Sequence, residues 1–242
     1  MAGIRVLSRR RLSDEAEKPF WISFSDLMTA LMVLFLVAMA VALIAITTEI
    51  SEADKRKVRR DEEIESLLQG LRKSIENEIP GVSLYGRTID FGSRARFDTN
   101  KHKLTAEQAQ LLRSVTAKIL ALSSNPHWGK WSKRVVVEGF ADQRGTYLDN
   151  LNLSLQRSQR VLCVILAGPQ SAENALSEKD RKIIREIFLV GGSSFNALKK
   201  ELEESRRIEM KLEFLEIGEV RPVAREVALD ADVRCPIDKI DK

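Results

Sequence analysis

Cysteine and histidine are scarce in this chain. Only two cysteines, Cys163 and Cys235, and two histidines, His102 and His127, occur in 242 residues, too few and too scattered for a four-ligand zinc set. No Ser/His/Asp constellation, glycine-rich phosphate loop or metal cluster is present in the sequence. That argues against a hydrolytic or transferase enzyme and leaves no cofactor to expect. Concentrated positive charge is missing too: the formal net charge is only +4, without a basic stripe interleaved with aromatics, so no nucleic acid is expected as a partner. In one stretch charge is almost wholly absent. Between Pro19 and Thr48 the only charged residue is Asp26.

Leu27 to Ile46 is apolar throughout except for Thr29, and at about 1.5 Å per residue it spans roughly 30 Å, the thickness of a bilayer core. A signal peptide would have a shorter apolar block and a small-residue cleavage site, so the reading is a single transmembrane helix within 19–48. A carboxylate at its entrance is costly to insert and is seldom left facing lipid. Asp26 either helps to start the helix at the interface or takes up and releases an ion as access to water alternates. Thr29, Ala30, Val33 and Val37 share its helix face, placing a hydroxyl and a seam of small or β-branched side chains beside it.

The order Asp26-Leu27-Met28-Thr29-Ala30-Leu31-Met32, followed by Phe35-Leu36-Val37, resembles the ion-binding helix of the flagellar stator B subunit. The resemblance implies that Asp26 is the ion acceptor with Thr29 beside it, that Trp21 is an interfacial aromatic, and that two such helices stand inside a ring of five A subunits. The expected ion is the proton.

Residues 1–18 form a short basic arm, with Arg5, Arg9, Arg10, Arg11 and Lys18 against Asp14, Glu15 and Glu17. This favours a cytoplasmic N-terminus, although Lys55, Arg56, Lys57, Arg59 and Arg60 follow the helix on its other side. Orientation therefore rests partly on the resemblance, which implies a single-pass bacterial inner-membrane protein with everything after Thr48 in the periplasm. Residues 49–80 are rich in mixed charge, and Ile64, Leu67, Leu68, Leu71, Ile75 and Ile79 recur at helical spacing. They read as a helical linker whose narrow apolar stripe is long enough to pair with a second copy in a homodimer. In flagellar stators the equivalent segment resembles a plug, and a solvated linker fits the pattern equally well.

From residue 81 to 215 the pattern is that of an α/β sandwich with a mixed sheet. Val82 to Phe91 reads as a strand, and Thr105 with Gln108 forms a capping box opening a helix to about Leu122. The region of Trp128 and Trp131 reads as a loop, Arg134 to Phe140 as a central strand, and Asn152 to Leu166 as a helix with Leu155, Val161, Leu162 and Ile165 facing a core. Ser177 to Arg185 reads as a short helix ahead of an apolar run at Ile187 to Val190. Ile208, Met210, Leu212 and Phe214 alternate with charged residues, the period-two signature of a sheet with one wet face. The remainder, 216–242, is an acidic, proline-containing tail expected to be partly ordered at best.

Three pieces of this region resemble the OmpA-type peptidoglycan-binding domain: Gly139-Phe140-Ala141-Asp142-Gln143-Arg144-Gly145, then Asn150 with Leu153-Ser154-Leu155-Gln156-Arg157-Ser158, then Ser205-Arg206-Arg207-Ile208-Glu209. The resemblance implies that Asp142 meets the ammonium of a diaminopimelate side chain while Arg157 forks onto its carboxylate. Asn150 and Arg206 belong to the same motifs, and Phe97-Asp98 resembles an aromatic-acid pair lining the pocket in some members. Phe140, Ala141 and Ser205 depart from the family's usual His, Thr and Asn. From spacing alone, Asp142 and Arg157 also fit a plain salt bridge between a strand end and the next helix.

An acceptor carboxylate in the membrane, a charged spacer and a wall-binding domain together describe a stationary motor element fixed to peptidoglycan. The layout and the RIEMKLEF run at 207–214 look like the B-subunit family of the Zorya anti-phage defence systems. A flagellar stator subunit and a non-conducting tether between membrane and wall are the alternatives. Cys163 and Cys235 are permitted to form a disulfide outside the cytoplasm; one buried and one exposed thiol fits the sequence equally.

Overall fold

The computed structural model describes residues 14–168, 174–221 and 235–239. Most of the basic arm and residues 222–234 of the tail therefore lie outside the described residues. The chain divides into two compact units, Met1–Lys57 and Val58–Lys242, and helix α1 (Asp14–Glu78) contributes to both.

In the first unit α1 carries its apolar side chains in the open: Leu27, Leu31, Phe35, Val37, Leu43 and Ile46 are all exposed. Its most apolar window has a mean hydropathy of 2.9, and it is long and apolar enough to cross a membrane. So much uncovered apolar surface is stable only in a non-aqueous surrounding. Thr29 Oγ1 donates back to the carbonyls of Ser25 and Asp26, at 3.0 and 2.9 Å. Its donor is thus used within the helix, and its oxygen lone pairs are what it offers beside Asp26.

The second unit holds a five-stranded sheet in the order β1-β2-β5-β3-β4. Strands β1 (Ser83–Tyr85) and β2 (Thr88–Asp90) form a hairpin where the sequence suggested a single strand from Val82 to Phe91. Gly86, at the first position of its two-residue turn, has φ +56°, which only glycine adopts cheaply. Helix α2 (Ala106–Ala121) opens on the expected capping box of Thr105 and Gln108. Helix α3 (Pro126–Trp131) replaces the expected loop: Asn125 caps it by accepting from His127 N, and Pro126 sits at the first helical position. That start signal is local and outweighs the loop-like composition.

Strand β3 (Ser132–Gly139) lies between β5 (Ile208–Phe214), antiparallel to it, and β4 (Phe188–Gly192), parallel to it. The crossover from β3 to β4 runs through α4 (Tyr147–Leu166) and α5 (Glu178–Ile187), while α6 (Leu202–Ser205) leads into β5. Along β5 the alternation is as read, with Ile208, Met210, Leu212 and Phe214 buried. On α4, Val161 and Ile165 face the core but Leu155 is exposed.

The largest difference concerns the stripe at 64–79. Ile64, Leu67, Leu68, Leu71, Ile75 and Ile79 are buried in the same core as Val135, Val137, Ile208 and Met210. The periodic face read as a dimer seam is spent on the domain's own sheet, so the core begins well ahead of residue 81. Arg60 and Glu63 fasten the start of this segment. Arg60 Nε donates to Leu215 O at 2.9 Å, and Glu63 Oε2 accepts from Lys130 Nζ at 2.9 Å and from the Trp131 indole. Those two donors, Lys130 first, hold the Glu63 carboxyl at about 2.

Cys163 and Cys235 are joined in a disulfide with a Cα–Cα distance of 5.5 Å, closing a separation of 72 residues. It ties the short 3-10 turn Pro236–Lys239, with buried Ile237, to α4. Helix α4 also lies hard against two strand ends. A Cβ built on Gly139 would stand 2.0 Å from Ser154 O, and one on Gly192 would stand 2.6 Å from Ser154 Oγ. Gly139→Ala is expected to lower stability by about 3 kcal/mol, because the backbone must separate to admit the methyl; chemical denaturation with an unchanged m-value checks this.

Candidate binding site

The site forms where β3 runs out. Phe140 N donates to Arg207 O at 3.0 Å and Ala141 N to Ser194 O at 2.8 Å, fixing the exit of the strand. Asp142 follows, and the backbone N–H of Arg144 donates to its Oδ1 at 3.1 Å, a side-chain-to-backbone turn that Asp forms readily. Gly145 takes φ +95°, Thr146 caps α4 by accepting from Asp149 N, and Asn150 Nδ2 donates to Arg144 O at 2.8 Å. Asn150 therefore serves the loop that presents Asp142, being itself buried.

Two turns further along α4, Arg157 has no exposed surface. Its guanidinium donates through Nε to Lys101 O at 3.1 Å, through Nη1 to Phe140 O at 2.6 Å and through Nη2 to Asp98 O at 3.2 Å. The ring of buried Phe97 lies 5.0 Å from its charge centre. Burial, then Arg206, push Arg157 down to about 10, with Asp142 acting in the other direction, so it stays charged at neutral pH. Three of the five N–H groups of a guanidinium are engaged in these bonds.

The sequence-derived candidates do not all have the same part. The ion pairs of Asp142 are with Arg144, at 2.5 Å, and Arg206, at 3.2 Å, rather than with Arg157. The plain strand-to-helix salt bridge that the spacing allowed is not the one formed. Arg206, nearly buried, also donates through Nε to Phe97 O at 2.8 Å, so it joins the Phe97 loop to Asp142. Asp98 contributes its backbone carbonyl, while its side chain is 77% exposed and paired with Lys101. Asp142, Arg157 and Arg206 are thus brought together, with Phe97 against the Arg157 guanidinium and Asn150 behind the Asp142 loop. Asp26 and Thr29 belong to the other unit.

Arg144 was not singled out by the sequence reading. Its only signal was position, two residues after an aspartate in a turn, where its side chain can reach back. The hydrogen bonds of Arg144 are also the leading reason why the Asp142 carboxyl is held at about 2, against the contrary effect of burial.

No family model matches the chain. A curated relative, the Zorya protein ZorB of Escherichia coli O139:H28 (strain E24377A / ETEC), is 41% identical over 221 residues, covering 90% of both chains. The chain belongs to the ZorB family. Similar solved structures include the periplasmic domain of MotB from Helicobacter pylori, with 12% identity and a TM-score of 0.39 over 69% of this chain and 89% of that one. The OmpA-like domain of FopA1 from Francisella tularensis subsp. tularensis SCHU S4 has 18% identity and a TM-score of 0.34 over 56% and 82%.

The low value for Asp142 has a defined consequence for stability. A carboxyl whose value falls from 3.8 unfolded to about 2 folded stabilises the fold fully above its unfolded value, and that contribution disappears as the pH falls through 2. With half-exposed Arg144 as its main partner, the amount is on the order of 1 to 2 kcal/mol. Asp142→Asn should flatten the stability profile between about pH 4 and pH 2, as read by urea unfolding of both proteins across that range.

Proposed function

We propose that the chain is the cell-wall-anchored, non-enzymatic B subunit of an ion-driven inner-membrane motor acting in anti-phage defence. The observation that carries this reading is kinship with the Zorya protein ZorB over nine-tenths of the chain. In this reading Asp26 takes up the ion, a proton, with Thr29 beside it, on a helix that lies with a second copy inside a ring of five A subunits. A unit charge crossing 100 mV releases about 2.3 kcal/mol, enough to drive rotation over repeated transfers. The domain beyond the membrane holds peptidoglycan, with Asp142 facing the ammonium of a diaminopimelate side chain and Arg157 and Arg206 facing its carboxylate. Phe97, Asp98 and Asn150 shape that pocket, Asp98 through its carbonyl.

Two features support the placement of the second unit in the periplasm. Disulfides persist in oxidising compartments, and the Cys163–Cys235 bridge lies in that unit. The basic arm ahead of α1 favours the opposite side of the membrane. With the reading correct, protein acid-trapped from growing cells and then denatured takes up a thiol-reactive polyethylene glycol only after reduction; uptake without reduction would place the domain in the cytoplasm.

Asp26→Asn removes the ionisable group with little change in shape. With the partner genes present and membrane levels normal, phage protection is expected to fall to that of cells lacking the gene. Loss of swimming instead would indicate a flagellar stator, and retention of protection would leave only a tether.

A further inference from the structure

Resting on this reading of the site, we infer that Arg144 is an internal occupant of the Asp142 subsite and must be displaced before a ligand ammonium can bind there. The argument begins with acceptor capacity. A carboxylate offers about four lone-pair positions, and those of Asp142 are taken. Oδ1 accepts from Arg144 N at 3.1 Å and Arg144 Nε at 3.2 Å; Oδ2 accepts from Arg144 Nη2 at 2.5 Å, from the same Arg144 Nε at 3.2 Å and from Arg206 Nη1 at 3.2 Å. Arg144 thus meets Asp142 with two side-chain nitrogens, Nη2 on Oδ2 and Nε shared between both oxygens, a charge-assisted contact stronger than a neutral hydrogen bond.

The two arginines on Asp142 are not alike. Arg206 is nearly buried and pinned by the Phe97 carbonyl. Arg144 is 49% exposed and its remaining side-chain bond is to the exposed Thr99 hydroxyl, at 3.1 Å. It is the member that can swing into water without opening the core, because its backbone is held separately by Asp142 and by Asn150 on its carbonyl.

Displacement sets what the site accepts. A simple amine must expel Arg144 and gains only the Asp142 contact. A zwitterionic end brings its own carboxylate, which Arg206 and the released Arg144 can approach while the buried Arg157 adds its charge from behind, so the expelled charge is not left without a partner. Arg144 is in this sense a specificity-determining residue: it raises the threshold for any cation that arrives without an anion.

The test measures binding of two stem tetrapeptides to the full-length protein in nanodiscs, one carrying meso-diaminopimelate and one carrying lysine, which has the ammonium without the carboxylate, by calorimetry, with melting curves confirming that each variant is folded. Arg144→Gln is expected to bind the lysine peptide about fivefold more tightly than the unsubstituted protein does, the size set by an exposed ion pair that closes the competent site most of the time, and to gain less for the diaminopimelate peptide, whose carboxylate loses Arg144 as a partner. Arg144→Lys, which keeps charge but loses the second donor nitrogen, should fall between them, and Asp142→Asn should bind both peptides poorly. Equal or weaker binding of the lysine peptide by Arg144→Gln, with Asp142→Asn impaired, would overturn displacement while leaving the site in place. Unimpaired binding by Asp142→Asn would overturn both the site and the displacement built on it.

Discussion

A guanidinium shut away from water governs the architecture of the second unit. Arg157 reaches out of α4, meets no solvent and donates to carbonyls that join the exit of β3, through Phe140 O, to the loop after β2, through Asp98 O and Lys101 O. A buried charge is tolerated only when its donors are satisfied and a counter-charge stands near. Here backbone carbonyls supply the first and Asp142 the second. The position of the β3 exit, the approach of α4 to Gly139 and Gly192, and the loop that displays Asp142 all follow from accommodating it. A residue expected to grip a ligand is therefore also structural, and removing it would disturb the fold as well as the site.

Much of this was legible in the sequence because it is encoded locally. The capping box at Thr105 and Gln108, the alternation along β5 and the apolar block at 27–46 depend on neighbours within a few residues. What could not be read depends on partners remote in the chain. The stripe from Ile64 to Ile79 has the same spacing whether it faces a copy of itself or a sheet, and only the presence of an uncovered sheet decides between them. Cys163 and Cys235 were compatible with either a bond or two thiols until the turn at Pro236–Lys239 was found against α4.

The site divides along the same line. Asp142, Arg157 and Arg206 were identified by motif, and all three meet. Their pairing was not legible, since a spacing of fifteen residues between strand end and helix says nothing about which of several arginines reaches the carboxylate first. Arg144 does so because it is only two residues away and the turn directs it back, so its effective concentration at Asp142 is high. Arg157 is already committed to three carbonyls, which fixes its plane but leaves its charge to act across the pocket.

That leaves a local charge balance with a direction to it. Arg144, Arg157 and Arg206 stand around Asp142, with exposed Glu203 at 3.8 Å from Arg206, so the immediate surroundings of Asp142 are positive by one charge. Such an excess attracts carboxylate more strongly than ammonium, and over distances within a Debye length of about 8 Å salt does not cancel it. A zwitterion therefore approaches with its carboxylate leading. Its ammonium gains a place only when Arg144 exchanges one carboxylate, that of Asp142, for another, that of the ligand. Asp142 and Arg144 each keep an ion-pair partner through the exchange and no charge is stranded. A ligand lacking the carboxylate has no such route, because expelling Arg144 would leave a positive site with one more unpaired cation beside it.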